Sequence, residues 1–171
     1  MDCRKQMTQF RGNGVFSRVM KNYSEDKRVI INMTLTTDNY KELEDVTRIA
    51  DKNGFEGIVC NICAGGTDFS SSMVVSEKER VVIVKEMKRV KVLYPKSFLM
   101  TKAMIKWYEY PDHTDACSRG DETLHFDVSW NKRRCFSNAD CSNCGCLAGS
   151  LQTPMKMIRN LRKMMTIAAC P

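Results

Sequence analysis

Along the first two thirds of the chain, apolar positions at helical spacing alternate with short apolar runs of strand length. This pattern predicts alternating helices and strands. Residues 28–35 and 57–62 are short apolar runs rich in β-branched side chains, and each has the length of a buried strand. Residues 15–23 instead repeat their apolar positions at helical spacing, which predicts an amphipathic helix. The repeating residues of this helix are Val15, Phe16, Val19, Met20 and Tyr23.

A longer helical pattern follows each of the two predicted strands. Thr36 or Thr37 can cap the first of these helices, and Gly54 can end it. Ser76 and Glu79 have the spacing of a capping box, so we expect the second helix to begin there. The apolar positions of the first helix are Tyr40, Leu43, Val46, Ile49 and Ala50.

The order of the predicted elements indicates the fold class. Strands that alternate with helices favour a parallel sheet, so we expect an α/β fold, either a partial (β/α) barrel or an open parallel sheet. Residues 98–110 predict one more helix, and beyond them the sequence becomes rich in cysteine, glycine and asparagine. We therefore predict an α/β region over 1–111, a cysteine-rich C-terminal extension over 112–150 and a basic helix over 151–171.

Composition and charge narrow the class of protein. With 171 residues, 43% hydrophobic and 27% charged, the chain has the composition of a globular domain with a small appendage. Its net charge of +7 is spread along the chain without a block of like charges, which disfavours nucleic-acid binding. The first residues lack the apolar centre of a signal peptide, and no run approaches the roughly 18 apolar residues of a membrane helix. We therefore expect a cytoplasmic protein without a membrane partner.

Nine cysteines are many for a reducing compartment, where clustered cysteines are typical of metal sites rather than disulfides. A Cys-x2-Cys turn lets two thiolates converge on one metal. The alternation of residues 122–130 predicts a hairpin that returns Cys135 to the side of Cys117. Zinc and an iron–sulfur cluster both accept such a thiolate set. The predicted ligands are Cys117, Cys135, Cys141, Cys144 and Cys146.

The other four cysteines predict no second metal site. Cys60 and Cys63 also have Cys-x2-Cys spacing, but Cys60 lies within a strand pattern, where successive side chains point to opposite faces. We interpret both as core or inner-barrel residues. Cys3 and Cys170 stand apart near the two ends of the sequence, and we interpret them as incidental.

The order of these pieces resembles that of radical S-adenosylmethionine (SAM) proteins with an auxiliary cluster region of the SPASM type. The resemblance covers roughly residues 10–150 and is carried by three stretches. The first precedes a barrel strand, the second is a strand–helix–strand unit, and the third is the cysteine region. They read FRGNGVFSRVMKNY, then RVIINMTLTTDNYKELEDVTRIADKNGFEGIV, then TDACSRGDETLHFDVSWNKRRCFSNADCSNCGC.

The resemblance implies a cofactor and a set of contacts. It implies that the five clustered cysteines hold an auxiliary iron–sulfur cluster, of the [4Fe–4S] type. On the strand over 28–35, Asn32 and Thr34 face one way, and Ile31 and Met33 face the other. In a barrel, Asn32 and Thr34 would then contact S-adenosylmethionine or a substrate. Bonding to the local backbone is the alternative for both side chains.

One departure from the family limits the chemistry that we expect. The Cys-x3-Cys-x2-Cys loop, which binds the catalytic cluster and S-adenosylmethionine in the family, is absent from this sequence. We therefore expect the chain to correspond to the C-terminal half of such an enzyme. S-adenosylmethionine chemistry would then depend on an N-terminal half as partner, and we assign no catalytic residue. The sequence points to no particular substrate, and the rival interpretation is a zinc-stabilised binding module without catalytic activity.

Overall fold

The computed structural model describes residues 14–64, 73–114, 125–126, 129–133 and 141–150. Its helices are α1 (Val15–Tyr23), α2 (Leu43–Lys52), α3 (Glu77–Leu93), α4 (Lys102–Trp107) and α5 (Leu147–Ser150), with 3-10 turns at Tyr40–Glu42 and Cys141–Asn143. Its strands are β1 (Ile30–Leu35), β2 (Gly57–Ile62), β3 (His125–Phe126) and β4 (Lys132–Arg133). None of the described helices is long and apolar enough to span a membrane.

The two main strands pair in parallel, in a register that starts with Ile30 opposite Gly57. Helix α2 lies between them in the chain, because a parallel pair needs a crossover connection. A third extended segment follows α3 and continues the sheet, since Phe98 forms a parallel bridge with Ile58. The protein is thus a mixed helix and strand structure with a small open parallel sheet, which confirms the predicted α/β class in this coarser form.

The core joins side chains of β2 with those of the three helices α2, α3 and α4. Five of the six residues of β2 are buried, whereas β1 exposes alternate positions. Strand β2 therefore occupies the centre of the packed unit and β1 its margin. The largest fully buried side chains are Tyr108, Phe98, Leu35, Leu43, Ile58, Ile83, Met87, Met100 and Ile105.

Helix α3 begins where the sequence predicts. The Ser76 side chain accepts the N–H of Glu79, and the Glu79 carboxylate accepts the N–H of Ser76 at 2.9 Å. The same carboxylate accepts the Ser76 hydroxyl at 2.6 Å. These bonds satisfy donors that the first turn of a helix otherwise leaves without partners, so the capping box is confirmed.

We expect the Ser76→Ala variant to lose about 1 kcal/mol of unfolding free energy, since this is the typical cost of removing a helix cap. Urea unfolding followed by circular dichroism measures the loss. Lys78→Ala is the matched control, because Lys78 is exposed in the same first turn and has no capping role. Equal stability of the Ser76→Ala variant and the unaltered chain would contradict the expectation.

The helix predicted from Thr36 or Thr37 begins later than expected, at Leu43. The Asn39 side chain explains the delay, because its carboxamide bonds back to the backbone at the end of β1. It accepts the N–H of Thr36 and donates to the carbonyl of Thr34, both at 2.9 Å. Asparagine favours such local bonds over helix, so the chain turns before the helix starts.

The helix predicted over 98–110 is wrong in its first part. Helix α4 spans Lys102–Trp107, and Thr101 caps it by accepting the N–H of Met104 at 3.2 Å. The preceding residues are extended beside β2, where the N–H of Leu99 donates to the carbonyl of Ile58 at 2.9 Å. A short apolar run suits a helix or a buried strand equally, and here the pairing with a distant strand decides.

The predicted hairpin is present in the part of it that the structure describes. His125 lies opposite Arg133 and Phe126 opposite Lys132 in an antiparallel pair. Trp130, between the two short strands, has a φ of 63° and is 80% exposed. The centroids of the Trp130 and Phe126 rings lie 5.9 Å apart, so the two aromatic rings are in contact at the turn.

Residues 141–150, from the predicted extension, pack directly on the α/β unit. Leu147 packs against the core cluster, and α5 contacts both β2 and α4. The limits of the predicted extension over 112–150 stay a prediction, since only parts of it are described. The predicted basic helix over 151–171 lies outside the described residues.

Candidate metal centre

One edge of β2 pairs with β1, and the opposite edge is covered by two later segments of the chain. Near the start of the strand, Ile58 exchanges backbone hydrogen bonds with residues 97–99. At its end, the N–H of Ile62 donates to the carbonyl of Gly145 at 2.9 Å. Ligands of α/β sheets bind at the carboxyl ends of the strands. The structure places Gly145, with a cysteine on either side, at this end of β2.

We call residues 141–147 the cysteine segment, because three of its seven residues are cysteines. It approaches β2 so closely that a Cβ at Gly145 would overlap the carbonyl oxygen of Ile62. Three hydrogen bonds to two other regions, residues 111–113 and the Asn61 side chain, hold it in place. They join Cys144 N–H to Pro111 O at 2.9 Å, His113 N–H to Cys141 O at 2.9 Å, and Leu147 N–H to Asn61 Oδ1 at 2.8 Å.

Arg80, on the buried side of α3, holds the cysteine segment from a third direction. Its guanidinium donates to the carbonyl of Cys144 at 2.9 Å. It also donates to the Asn143 carbonyl at 3.2 Å and to Asn143 Oδ1 at 2.6 Å. The residue is only 2% exposed, and within the described parts of the chain no carboxylate lies at ion-pair distance from it. Arg80 is thus a buried cation that faces the cysteine segment.

Burial is the main influence on the pKa of the Arg80 guanidinium. It lowers the pKa of the guanidinium, because a charged group loses hydration when it leaves water. Attraction to Cys144, Tyr108 and Glu77 raises the pKa in the opposite direction, with Cys144 the strongest of the three. The Arg80 side chain therefore stands close enough to Cys144 for the charges of the two groups to interact.

The three cysteines of the segment differ in exposure. Cys144 is 7% exposed, and its sulfur accepts the N–H of Cys146 at 3.4 Å. Cys141 and Cys146 are half-buried. A sulfur that accepts a backbone N–H beside a fixed positive charge is well placed to carry negative charge as a thiolate ligand.

The ring of His113 stacks on that of Trp107 next to the cysteine segment. Their rings stack with centroids 3.6 Å apart, and His113 Nε2 lies 3.0 Å from the carbonyl oxygen of Trp107. Burial lowers the pKa of His113, and Arg80 lowers it further. The neutral imidazole avoids adding a second buried cation next to Arg80.

Cys60 and Cys63 are buried, which confirms their interpretation as core residues. Burial raises the pKa of the Cys60 thiol far above its ordinary range, and it also raises the pKa of Cys63. Burial disfavours the thiolate form that a metal ligand requires, which is in keeping with a place for both residues in the core.

Asn32 and Thr34 lie on the exposed face of β1, and Ile31 and Met33 are partly buried, as the alternation predicts. Asn32 Oδ1 accepts the side-chain amide of Asn61 at 2.9 Å. Because Asn61 also accepts the N–H of Leu147, the polar face of the sheet is linked to the cysteine segment by two hydrogen bonds. Contact of Asn32 and Thr34 with S-adenosylmethionine or a substrate stays a prediction.

Two of the five predicted ligands, Cys117 and Cys135, lie outside the described residues. Over the described ranges, no three His, Cys, Asp or Glu side chains converge in a group that could hold a metal ion. The thiols of Cys141, Cys144 and Cys146 therefore do not form such a group in the part of the chain that the structure describes. The assignment of Cys117 and Cys135 as ligands stays a prediction.

Sequence reasoning missed three residues that position the segment, namely Arg80, Asn61 and Gly145. Gly145 stood out only as a flexible neighbour of Cys144, whereas its contact with Ile62 spans more than 80 positions in the chain. Arg80 is one of several basic residues of α3, and its spacing in the helix is the only local sign that it faces inward.

Comparisons of the chain with protein-family models, with curated proteins and with solved structures give no match.

Proposed function

We propose that the cysteine segment is part of a thiolate-ligated metal centre, and that the centre is an iron–sulfur cluster of the [4Fe–4S] type. Cys141, Cys144 and Cys146 would supply ligands from the segment. Cys117 and Cys135 are the candidates for the remaining positions. Such a cluster supplies one-electron transfer when it is bound.

The observation that supports this proposal best is the environment of Cys144. Its sulfur accepts an N–H from Cys146, and its carbonyl is fixed by the buried guanidinium of Arg80. Hydrogen bonds to sulfur and a nearby positive charge are the surroundings that stabilise an anionic thiolate centre. These surroundings of Cys144 support the proposed group, and the backbone anchors would keep the thiols close to β2.

We further propose that the chain is the C-terminal part of a radical SAM-type protein. Three parallel extended segments separated by helices are in keeping with a piece of a (β/α) barrel. The exposed polar side chains of Asn32 and Thr34 would line its interior. In this proposal the chain's own residues hold an auxiliary cluster, and an N-terminal half with the Cys-x3-Cys-x2-Cys loop would supply the cleavage of S-adenosylmethionine.

Anaerobic purification and reconstitution with iron and sulfide tests the metal proposal. We expect a brown protein that contains iron and acid-labile sulfide in equal amounts. A colourless protein with tightly bound zinc would support the zinc-stabilised module instead. A chain that retains neither metal under these conditions would contradict a metal centre of either kind.

We expect the Cys144→Ala variant to lose most of its bound metal, because this thiol is the most buried of the segment and its sulfur accepts the N–H of Cys146. Metal and sulfide per chain are measured after identical reconstitution. Cys3→Ala and Cys170→Ala are the control variants, since the sequence places both cysteines far from the cluster region. The same metal content in Cys144→Ala and in the controls would rule out Cys144 as a ligand.

A further inference from the structure

Two exposed aromatic side chains lie next to each other in the hairpin of β3 and β4, and we call Phe126 and Trp130 the aromatic pair. Trp130 is 80% exposed, more than any other large apolar side chain of the described residues, and Phe126 is 49% exposed. The planes of the two rings are inclined by 49°. A stacked pair would hide one face of each ring, whereas this inclined pair leaves aromatic surface open to solvent.

The backbone holds the indole of Trp130 in a conformation that bulky residues rarely adopt. Trp130 has a φ of 63°, and Glu25 is the other non-glycine residue with a positive φ in the described part of the chain. Glycine or asparagine is the usual choice at such a position in a turn. Burial of the indole does not offset this strain, because the side chain is exposed. Strained residues of this kind are typical of binding sites.

The aromatic pair has a positively charged neighbour. Lys132 lies opposite Phe126 in the antiparallel register, so the two side chains stand on the same face of the hairpin. Lys132 is exposed, and over the described ranges no carboxylate lies at ion-pair distance from it. An open aromatic surface beside such a cation complements a partner that carries both flat rings and negative charge.

We propose that the hairpin of β3 and β4 binds single-stranded nucleic acid, with bases stacked on the aromatic pair and a phosphate beside Lys132. Bases stack on exposed aromatic side chains, and lysines neutralise the phosphates between them. A duplex hides the faces of its bases, so the aromatic pair would select single strands. The even spread of charge along the sequence disfavours a nucleic-acid partner, but it carries no information on aromatic surface, which the hairpin supplies. This proposal does not depend on the metal centre.

Fluorescence anisotropy of a labelled single-stranded oligothymidine, titrated with the full chain, tests the role of the aromatic pair. We expect Trp130→Ala to weaken binding about 5- to 150-fold, the contribution of stacking on one aromatic side chain. Trp130→Phe keeps a ring and should retain most of the affinity. Tyr110→Ala is the matched control, because it removes an aromatic side chain that is 64% exposed outside the hairpin. Circular dichroism establishes that each variant retains its helices.

The salt dependence of the same titration tests the phosphate contact. Affinity for a single strand falls with salt, and the slope of log affinity against log salt decreases by about 0.7 for each phosphate contact removed. We expect this decrease in Lys132→Gln. Lys102→Gln is the control, because Lys102 is an exposed lysine at the start of α4, outside the hairpin, and should leave the slope unchanged.

The opposite results decide against the proposal. A chain that does not bind the oligothymidine, or that binds a duplex equally well, would overturn it. Equal affinity of Trp130→Ala and the unaltered chain, or an equal loss in Trp130→Phe or Tyr110→Ala, would exclude stacking on the aromatic pair. An unchanged salt slope in Lys132→Gln would exclude the phosphate contact. Binding to phosphatidylserine vesicles but not to the oligothymidine would identify an anionic membrane surface as the partner instead.

Discussion

We expect the Gly145→Ala variant to release the cysteine segment from the sheet while the α/β unit stays folded. A Cβ at this position would overlap the carbonyl oxygen of Ile62 and lie 2.8 Å from its carbonyl carbon. These atoms belong to the backbone of β2, which cannot move aside without breaking its pairing with β1. The segment can move away instead, because it is joined to the unit by a few hydrogen bonds.

The cost of this overlap sets the size of the effect. Forcing an extra methyl group into a packed site costs typically about 1–3 kcal/mol. We expect the hydrogen-exchange protection of the Cys144 amide, which donates to Pro111, to fall by about 10- to 100-fold for such a cost. Reconstituted iron per chain should fall with it if the anchored segment supplies the cluster ligands.

Gly149→Ala is the matched control for this expectation. It introduces the same methyl group four residues later, where the nearest atom belongs to the Trp107 side chain at 3.1 Å. A side chain can shift by a few tenths of an ångström, so protection of Cys144 should change little. Equal protection of Cys144 in Gly145→Ala and the unaltered chain would show that the contact with Ile62 does not hold the segment.

Local patterns were sufficient to predict the elements with strong internal signals. The run over 57–62 is apolar and short, and the observed β2 has these bounds. The capping box at Ser76 specifies the start of α3 through contacts only three residues apart. By contrast, the local pattern predicts a helix at Phe98 and Leu99, because their pairing with Ile58, some 40 positions away, leaves no trace in local periodicity.

For the candidate site, the sequence predicts only the residue types, and their chemistry stays a prediction. The spacing of Cys141, Cys144 and Cys146 predicts thiolates that can converge, because a Cys-x2-Cys turn can bring two thiolates to one metal. The surroundings could not be predicted in the same way. Arg80 meets Cys144 across 64 positions of sequence, and a buried arginine is indistinguishable from a surface arginine when only spacing and charge are known.

For the Gly57→Ala variant we expect a loss of stability that affects the whole fold. Gly57 has a φ of 152°, a conformation that side-chain-bearing residues rarely adopt. A Cβ there would overlap the carbonyl oxygen of Ser97 and lie 2.9 Å from Leu99 Cγ. Strain and overlap together should cost about 3–5 kcal/mol, which is a large share of the stability of an ordinary domain.

The effect of Gly57→Ala should spread because Gly57 lies where all three extended segments meet. It is opposite Ile30 in the parallel register, and the neighbouring Ile58 pairs with Ser97 and Leu99. Urea unfolding followed by circular dichroism should show a lower midpoint for the whole transition. Hydrogen exchange should accelerate in β1, β2 and α2 together, unlike the local release expected for Gly145→Ala.

The Gly14→Ala variant separates the two causes of the stability loss expected for Gly57→Ala, namely the strain of the backbone conformation and the steric overlap of the added Cβ. Gly14 also has a positive φ, of 76°, but no atom lies within 4 Å of a Cβ built there. An alanine at this position carries only the cost of the backbone conformation, about 1–2 kcal/mol. The excess loss in Gly57→Ala over Gly14→Ala therefore measures the close approach of residues 97–99 to β2. If both variants lose the same stability, the third extended segment does not pack against Gly57 as closely as the structure places it.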